Sequence, residues 1–268
     1  MSRFAPGENA WTESLGNLRN LIRQELIARQ VRPVLESGME VLDVGCGQGT
    51  QALRIAATGC RVTGIDPSDD LLRLCHEASM QQGLSLELLR GTIEDLDQLL
   101  GDRQFDLICC HGVFMYLDAR RAPLRILSNH LSEGARLSVT FRNANALAMR
   151  PGLRQDWPKA LAAFDTREYV NELGVAATAD RLEDIEKDLQ SVGLRLATWY
   201  GVRVFNDAIS ADVQPPNAKE LEVLLEAEER AGNTDPYRWM ASQLHVIAIK
   251  VLASKTASLT RASDNGLG

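Results

Sequence analysis

The most constraining feature of the chain is a short apolar run, Met39 to Val44, that stops at Gly45-Cys46-Gly47-Gln48-Gly49 and leads into the helix-forming stretch Gln51 to Ala57. Three glycines in five residues permit a tight left-handed turn, so strand, turn and helix follow in that order. A second run, Arg61 to Ile65, ends at Asp66, 21 residues beyond Gly45, and Pro67-Ser68-Asp69-Asp70 supplies caps for a helix over Leu71 to Gln82. This is the layout of an adenosine-cofactor site. Absent Cβ atoms let a ligand meet the backbone, and the acid at the strand end accepts hydrogen bonds from two ribose hydroxyls. Dinucleotide folds place their glycines as G-x-G-x-x-G, whereas here the third glycine comes one residue early and Thr50 follows it, which argues against a nicotinamide cofactor.

The βα unit then recurs. Ser85 to Leu89 reads as a third strand, Phe105 to Cys110 as a fourth buried on both faces, Leu117 to Leu131 as a helix, Ser132-Glu133-Gly134 as a turn and Arg136 to Phe141 as a fifth strand. Alternation of this kind predicts an α/β fold with a mostly parallel sheet. Helical periodicity over Leu15 to Val34 places a helix ahead of the core. Ala144 to Ala179 has no strand signal and contains Pro151, Gly152 and Pro158, so a helical insertion is expected after strand five, at about 144–180. Leu182 to Gln190 and Ala218 to Arg230 read as helices, Leu194 to Phe205 and Leu244 to Val251 as strands. Residues 1–252 are expected to form a single domain, with a polar arm over the first ten residues and a disordered tail over 253–268.

Composition limits the partners. Lys and Arg total 29 against 36 Asp and Glu, a net charge of -7, which excludes a uniformly basic nucleic-acid surface but not a local cluster. The five cysteines, Cys46, Cys60, Cys75, Cys109 and Cys110, are odd in number and contain no C-x-x-C, and no apolar leader opens the chain. Reduced thiols in a cytoplasmic protein are the expectation. His76, His111, His130 and His245 lie far apart in sequence, so no metal site is expected, and no membrane association is expected without a long apolar span.

Glu40-Val-Leu-Asp-Val-Gly-Cys-Gly-Gln-Gly49 resembles the first motif of class I S-adenosylmethionine-dependent methyltransferases, whose Rossmann-like fold is a seven-stranded sheet flanked by helices. The resemblance implies S-adenosyl-L-methionine as cofactor, Asp66 in Gly64-Ile-Asp-Pro-Ser68 as the ribose acid, and Glu94-Asp95 as the adenine-side acids. Gly45, Cys46 and Gly47 then form the cofactor loop, with Asp43 beneath it holding the loop's amides and approaching the cofactor. More of the chain is similar to the tRNA carboxymethoxyuridine carboxyl methyltransferases, through Gly16-Asn-Leu-Arg19, His111-Gly-Val-Phe, Phe141-Arg-Asn-Ala-Asn145, Gly201-Val-Arg-Val-Phe-Asn206 and Leu244-His-Val246. That likeness adds Arg19 and His111 to the cofactor site and implies O-methylation of a carboxylate on a modified wobble uridine.

The residues themselves are compatible with such a reaction. An arginine fork pairs well with a methionyl carboxylate. A carboxylate acceptor is ionised at neutral pH and needs cationic positioning rather than a general base. Candidates for that positioning are Arg203 and Tyr200 in the late strand, with Arg142 and Asn143 after strand five. Basic clusters for a tRNA are Arg120, Arg121 and Arg125 on one helix, and Arg142, Arg150, Arg154 and Lys159 near Trp157. A small-molecule acceptor, or a non-catalytic S-adenosylmethionine-binding role, remains open at this level.

Overall fold

A computed structural model describes residues 16–210 and 212–252. The expected N-terminal arm and C-terminal tail lie outside them. Helix α1 (Leu18–Val31) opens the described chain, with the Asn17 side chain accepting the Asn20 amide at 2.9 Å as its N-cap. Then come β1 (Glu40–Val44), α2 (Ala52–Ala56), β2 (Arg61–Asp66), α3 (Asp69–Gln81), β3 (Leu86–Arg90), α4 (Leu96–Leu100), β4 (Phe105–Cys110), α5 (Arg121–Asn129) and β5 (Leu131–Arg142). The second half contributes α6 (Met149–Leu153), α7 (Trp157–Ala162), β6 (Glu168–Val170), β7 (Ala176–Thr178), α8 (Leu182–Ser191), β8 (Leu194–Val202), α9 (Ala218–Asn233) and β9 (Gln243–Lys250).

Seven strands form one sheet in the order β3-β2-β1-β4-β5-β9-β8. All its pairings are parallel except those of β9, which runs against both β5 and β8. The strand order reverses between β1 and β4, and in open α/β sheets the crevice at such a reversal, beyond the carboxyl ends of the strands, is where ligands bind. The register puts Val44, Asp66, Cys110, Arg142 and Val202 at that one edge. Because β9 is antiparallel, its first residue, Gln243, pairs with both Arg142 and Val202. Thus two reversals of chain direction bring Arg203 from the late sequence to the same rim as Gly45.

The apolar strand residues make both sheet faces core. One cluster joins Leu42, Ile108, Leu124, Leu127, Leu137 and Phe141. Another packs Val41, Ile55, Val62, Leu107 and Cys109 beneath α2. Helix α1 closes its apolar stripe, Leu18, Ile22 and Leu26, on Val202 and on Leu225 of α9.

Two sequence expectations need correction. Ser132-Glu133-Gly134 is not a free turn. It lies inside β5, where the pairing with β4 slips between Phe105 and Leu107 and Gly134 takes a positive φ of 76°. Extra residues are accommodated by a bulge, which keeps the strand continuous. The insertion is also not purely helical, since β6 and β7 form an antiparallel hairpin. Three residues per strand leave too little periodicity to register in sequence.

Candidate functional site

The glycine turn is built as its spacing demands. Gly45, Gly47 and Gly49 all have positive φ, at 74°, 55° and 88°. A Cβ on Gly45 would come 2.5 Å from Val113 Cγ2, and one on Gly49 would come 2.5 Å from Cys75 Sγ, so both positions exclude a side chain. Gly47 differs. Its Cβ would meet nothing nearer than Leu71 at 4.0 Å, because that face opens into a cavity.

The cavity has a volume of about 1770 Å³ and sits over the carboxyl edge of the sheet. That exceeds the 300–1,000 Å³ typical of a single drug-sized ligand, and leaves room for a cofactor beside an acceptor. On its sheet side, Asp66 Oδ2 accepts the Gly47 amide at 2.8 Å and Oδ1 accepts Ser68 N–H at 3.0 Å, which fixes the carboxylate at the mouth of the turn. Of the sequence-derived cofactor candidates, Arg19, Gly45, Gly47, Asp66, Glu94 and His111 line this cavity.

Asp43, Cys46 and Asp95 do not line it. Asp43 is buried beneath the turn and takes the Ala52 amide at the start of α2, while the Gly47 amide goes to Asp66 instead. Burial, and then the neighbouring Asp66, raise the Asp43 carboxyl to about 7. The Cys46 side chain packs into the core. Asp95 turns back on its own loop, where Oδ2 accepts Thr92 N–H at 2.9 Å and the Thr92 hydroxyl at 2.8 Å, leaving Glu94 as the acid on the cavity side.

Among the substrate-side candidates, Arg142 and Arg203 line the cavity, whereas Tyr200 and Asn143 do not. The Tyr200 ring lies 6.0 Å from that of His245, behind the sheet edge. Asn143 is fully enclosed and donates from Nδ2 to the carbonyls of Trp239 and Ala241 at 2.9 and 2.8 Å, tying β5 to the segment before β9.

Electrostatics dominate the far wall. Asp207 is flanked by Arg150 at 2.6 Å, Arg203 at 3.3 Å and Arg142 at 3.5 Å. Glu172, at the turn of the β6–β7 hairpin, pairs with Arg19, with Arg154 at 3.1 Å and with Arg150 at 3.5 Å. Five guanidiniums therefore share two carboxylates, and the wall carries excess positive charge. Burial favours the protonated form of Asp207, yet Arg203, Arg142 and Arg150 overcome it and hold the carboxyl far below the usual range. Arg203 is pushed down to about 9 by its burial despite Asp207. The Nε atoms of Arg19, Arg142 and Arg203 are buried without a hydrogen-bond partner, so donors remain to be satisfied at this wall.

Several contributors escaped the sequence reading. Arg23 lines the cavity one turn after Arg19, a spacing that alone puts both on one helix face. Glu172 and Asp207 carried no motif. Glu228 of α9 is buried and accepts the amides of Val204, Phe205 and Asn206 at 2.7, 2.9 and 3.0 Å, and the Asn206 side chain as well. That carboxylate shapes the loop in which Arg203 holds a positive φ of 62°. Only the fold brings α9 beneath the Gly201–Asn206 segment.

The basic clusters also divide. Arg120 pairs with Asp180 and Asp188, and Arg121 with Asp188, so these cations serve the α5–α8 packing. Arg142, Arg150, Arg154 and Lys159 instead line the cavity, and Trp157 is 65% exposed beside them. All five cysteines are buried free thiols. Among the described residues no cluster of His, Cys, Asp and Glu is placed to hold a metal, and no helix is long and apolar enough to cross a membrane.

A family model described as a methyltransferase domain matches residues 35–190. The chain is 26% identical over 244 residues to the tRNA 5-carboxymethoxyuridine methyltransferase of Escherichia coli (strain K12), with 90% of this chain and 92% of that protein aligned. It is also 26% identical over 206 residues to a ubiquinone biosynthesis O-methyltransferase of Xanthomonas axonopodis pv. citri (strain 306), covering 74% and 84%. Among solved structures, magnesium protoporphyrin IX methyltransferase from Synechocystis PCC 6803 with bound SAH superposes with a TM-score of 0.59 at 15% identity, covering 90% of this chain and 93% of that one. A Methanosarcina mazei SAM-dependent methyltransferase gives 0.58 at 19% identity, covering 84% and 98%. With the glycine turn, the strand-end acid and the sheet order already in place, the chain belongs to the methyltransferase domain family and is an S-adenosylmethionine-dependent methyltransferase of the class I fold.

Proposed function

We propose that this enzyme O-methylates a carboxylate, and that the carboxylate is borne by a modified wobble uridine of tRNA. The observation that carries the reading is the wall of five arginines around Asp207 and Glu172, which opens on the same cavity as the glycine turn. The tRNA-modifying relative aligned over 90% of this chain supports the nucleic-acid acceptor. The domain runs over 1–252, and its place of work is the cytoplasm, where tRNA is found.

In this reading Asp66 holds the ribose, Glu94 the adenine side and Arg19 the methionyl carboxylate. Gly45 and Gly47 let the backbone approach. The donor set fits the group, since the Asp66 carboxylate and the Arg19 guanidinium both line the cavity and Arg19 Nε is buried without a partner. Bound S-adenosylmethionine supplies an electrophilic methyl on a sulfonium, and the protein's task is orientation. Arg203 and Arg142 bind the acceptor carboxylate and turn an oxygen lone pair toward that methyl. No proton need be removed from it, because a carboxyl with an ordinary pKa near 4 is already ionised at neutral pH. His111, held neutral by burial, by His245 and by Arg23, adds no positive charge to the cavity it lines.

The test is methyl transfer from radiolabelled S-adenosylmethionine to tRNA from cells lacking this protein, followed by nucleoside mass spectrometry and mild base treatment. A base-labile methyl on a carboxylated uridine is expected. Label appearing only in a metabolite extract moves the acceptor to a small molecule, a reading favoured by the ubiquinone-pathway relatives.

A further inference from the structure

A chain of buried polar groups runs from helix α1 through the sheet to His111. Gln30 Oε1 lies 2.7 Å from His245 Nδ1, His245 Nε2 lies 2.7 Å from Ser138 Oγ, and Ser138 Oγ lies 2.9 Å from His111 Nε2. His245 and Ser138 are fully buried and Gln30 nearly so, and the two imidazoles meet edge to face at 5.3 Å. Histidines far apart in sequence are thus neighbours, because β4, β5 and β9 are adjacent strands. Neither the cofactor assignments nor the acceptor wall uses Gln30, Ser138 or His245.

We propose that Gln30, Ser138 and His245 are positioning residues that fix the proton of His111 on Nε2, leaving Nδ1 as a hydrogen-bond acceptor for a donor group of the bound cofactor.

The proton count leads there. Burial pushes His245 down to about 3, and burial, His245 and Arg23 push His111 well below its ordinary range, so each ring carries one proton at neutral pH. The amide oxygen of Gln30 cannot donate, so Nδ1 of His245 donates to it and Nε2 of His245 is a lone pair. Ser138 gives its hydroxyl proton to that lone pair, and its oxygen then accepts from His111 Nε2–H. What remains is Nδ1 of His111, buried and without a protein partner on a side chain that lines the cavity. A proton there would be a buried donor with no acceptor, close to the Arg23 guanidinium. A lone pair there suits an ammonium or hydroxyl of the ligand, and the neutral ring pair adds no charge to a cavity that would hold a cationic cofactor. The choice of cofactor as ligand rests on the assignment of His111 to the cofactor site.

The test uses the full chain labelled with 15N-histidine. Long-range proton–nitrogen NMR reads each ring's tautomer without cofactor, and calorimetry with S-adenosylhomocysteine reads binding. The parent is expected to show His111 protonated at Nε2 and His245 at Nδ1. Gln30→Leu and Ser138→Ala are expected to mix the His111 tautomers and weaken S-adenosylhomocysteine binding about fivefold, the cost of one misdirected hydrogen bond. Ser138→Thr, which retains the hydroxyl and adds no charge, is expected to preserve both the pattern and the affinity. His111 protonated at Nδ1 in the parent, or His111 and His245 signals unmoved by Gln30→Leu, overturns the relay. If Gln30→Leu does not fold, the parent spectrum and Ser138→Thr decide. A His111→Ala variant that binds S-adenosylhomocysteine as tightly as the parent overturns the cofactor assignment instead.

Discussion

Asp43→Asn should change how stability depends on pH, with a sign and size that follow from the position of the carboxyl. Asp43 is 3% exposed beneath the glycine turn, and burial first, then Asp66, raise it from an ordinary 3.8 to about 7 against the pull of the Ala52 amide. Between those two values the folded protein keeps a proton that the unfolded chain has released. The associated stability is therefore complete below 3.8 and is lost as pH rises through about 7. At ~1.4 kcal/mol per pH unit, the whole interval amounts to about 4 kcal/mol, of which about 3 kcal/mol falls between about pH 5 and pH 8. Asp43→Asn has no proton to lose, and its amide oxygen still accepts from Ala52. Urea unfolding followed by circular dichroism across that range should show the parent losing about 3 kcal/mol relative to the variant. The strongly acid-shifted Asp207 titrates below this window and does not interfere. Parallel stability profiles for the two proteins would refute the reasoning, since Asp43 would then ionise without cost.

Three further outcomes follow from the site. Asp66→Ala removes the acceptor of the Gly47 and Ser68 amides together with the proposed ribose partner, and should weaken S-adenosylhomocysteine binding by about 1–3 kcal/mol in calorimetry; equal affinity would place the ribose elsewhere. Glu172→Gln should tighten the same binding about threefold, because the pair that Glu172 makes with Arg19 must otherwise be broken by the incoming carboxylate; weakened binding would mean that Glu172 braces Arg19 rather than competing for it. Arg203→Ala, and Glu228→Gln through the loop that carries Arg203, should raise the KM for the methyl acceptor about tenfold or more while leaving S-adenosylhomocysteine affinity unchanged. A fall in cofactor affinity in either variant would show that the two halves of the cavity are not separate.

Local chemistry was legible from the residues alone. The strand, the three glycines, Asp66 and the helix cap at Ser68 are contiguous or one βα unit apart, so spacing reports their arrangement. Residue types alone do not mark where the fifth strand begins, because a bulge and a turn use the same residues, here Ser132-Glu133-Gly134. Asp43, Cys46 and Asp95 sit within the motifs, yet the structure turns them away from the cavity. A motif gives a residue's position along the chain, whereas side-chain direction depends on which amides need an acceptor, and Asp95 meets that need at Thr92.

The sequence by itself determined the cofactor half: a parallel α/β sheet, a glycine turn at the end of its first strand and an acid at the end of the second. Only the tertiary structure decided the charged wall across the cavity from that turn. Arg19, Arg142, Arg150, Arg203, Glu172 and Asp207 come from helix, strand ends, insertion and loop, and His245 meets His111 across two strand pairings. No periodicity encodes such encounters. They exist because β8 runs in the direction of β5 and β9 starts where both end, so the late chain meets the carboxyl edge, where buried charges must find partners across the fold.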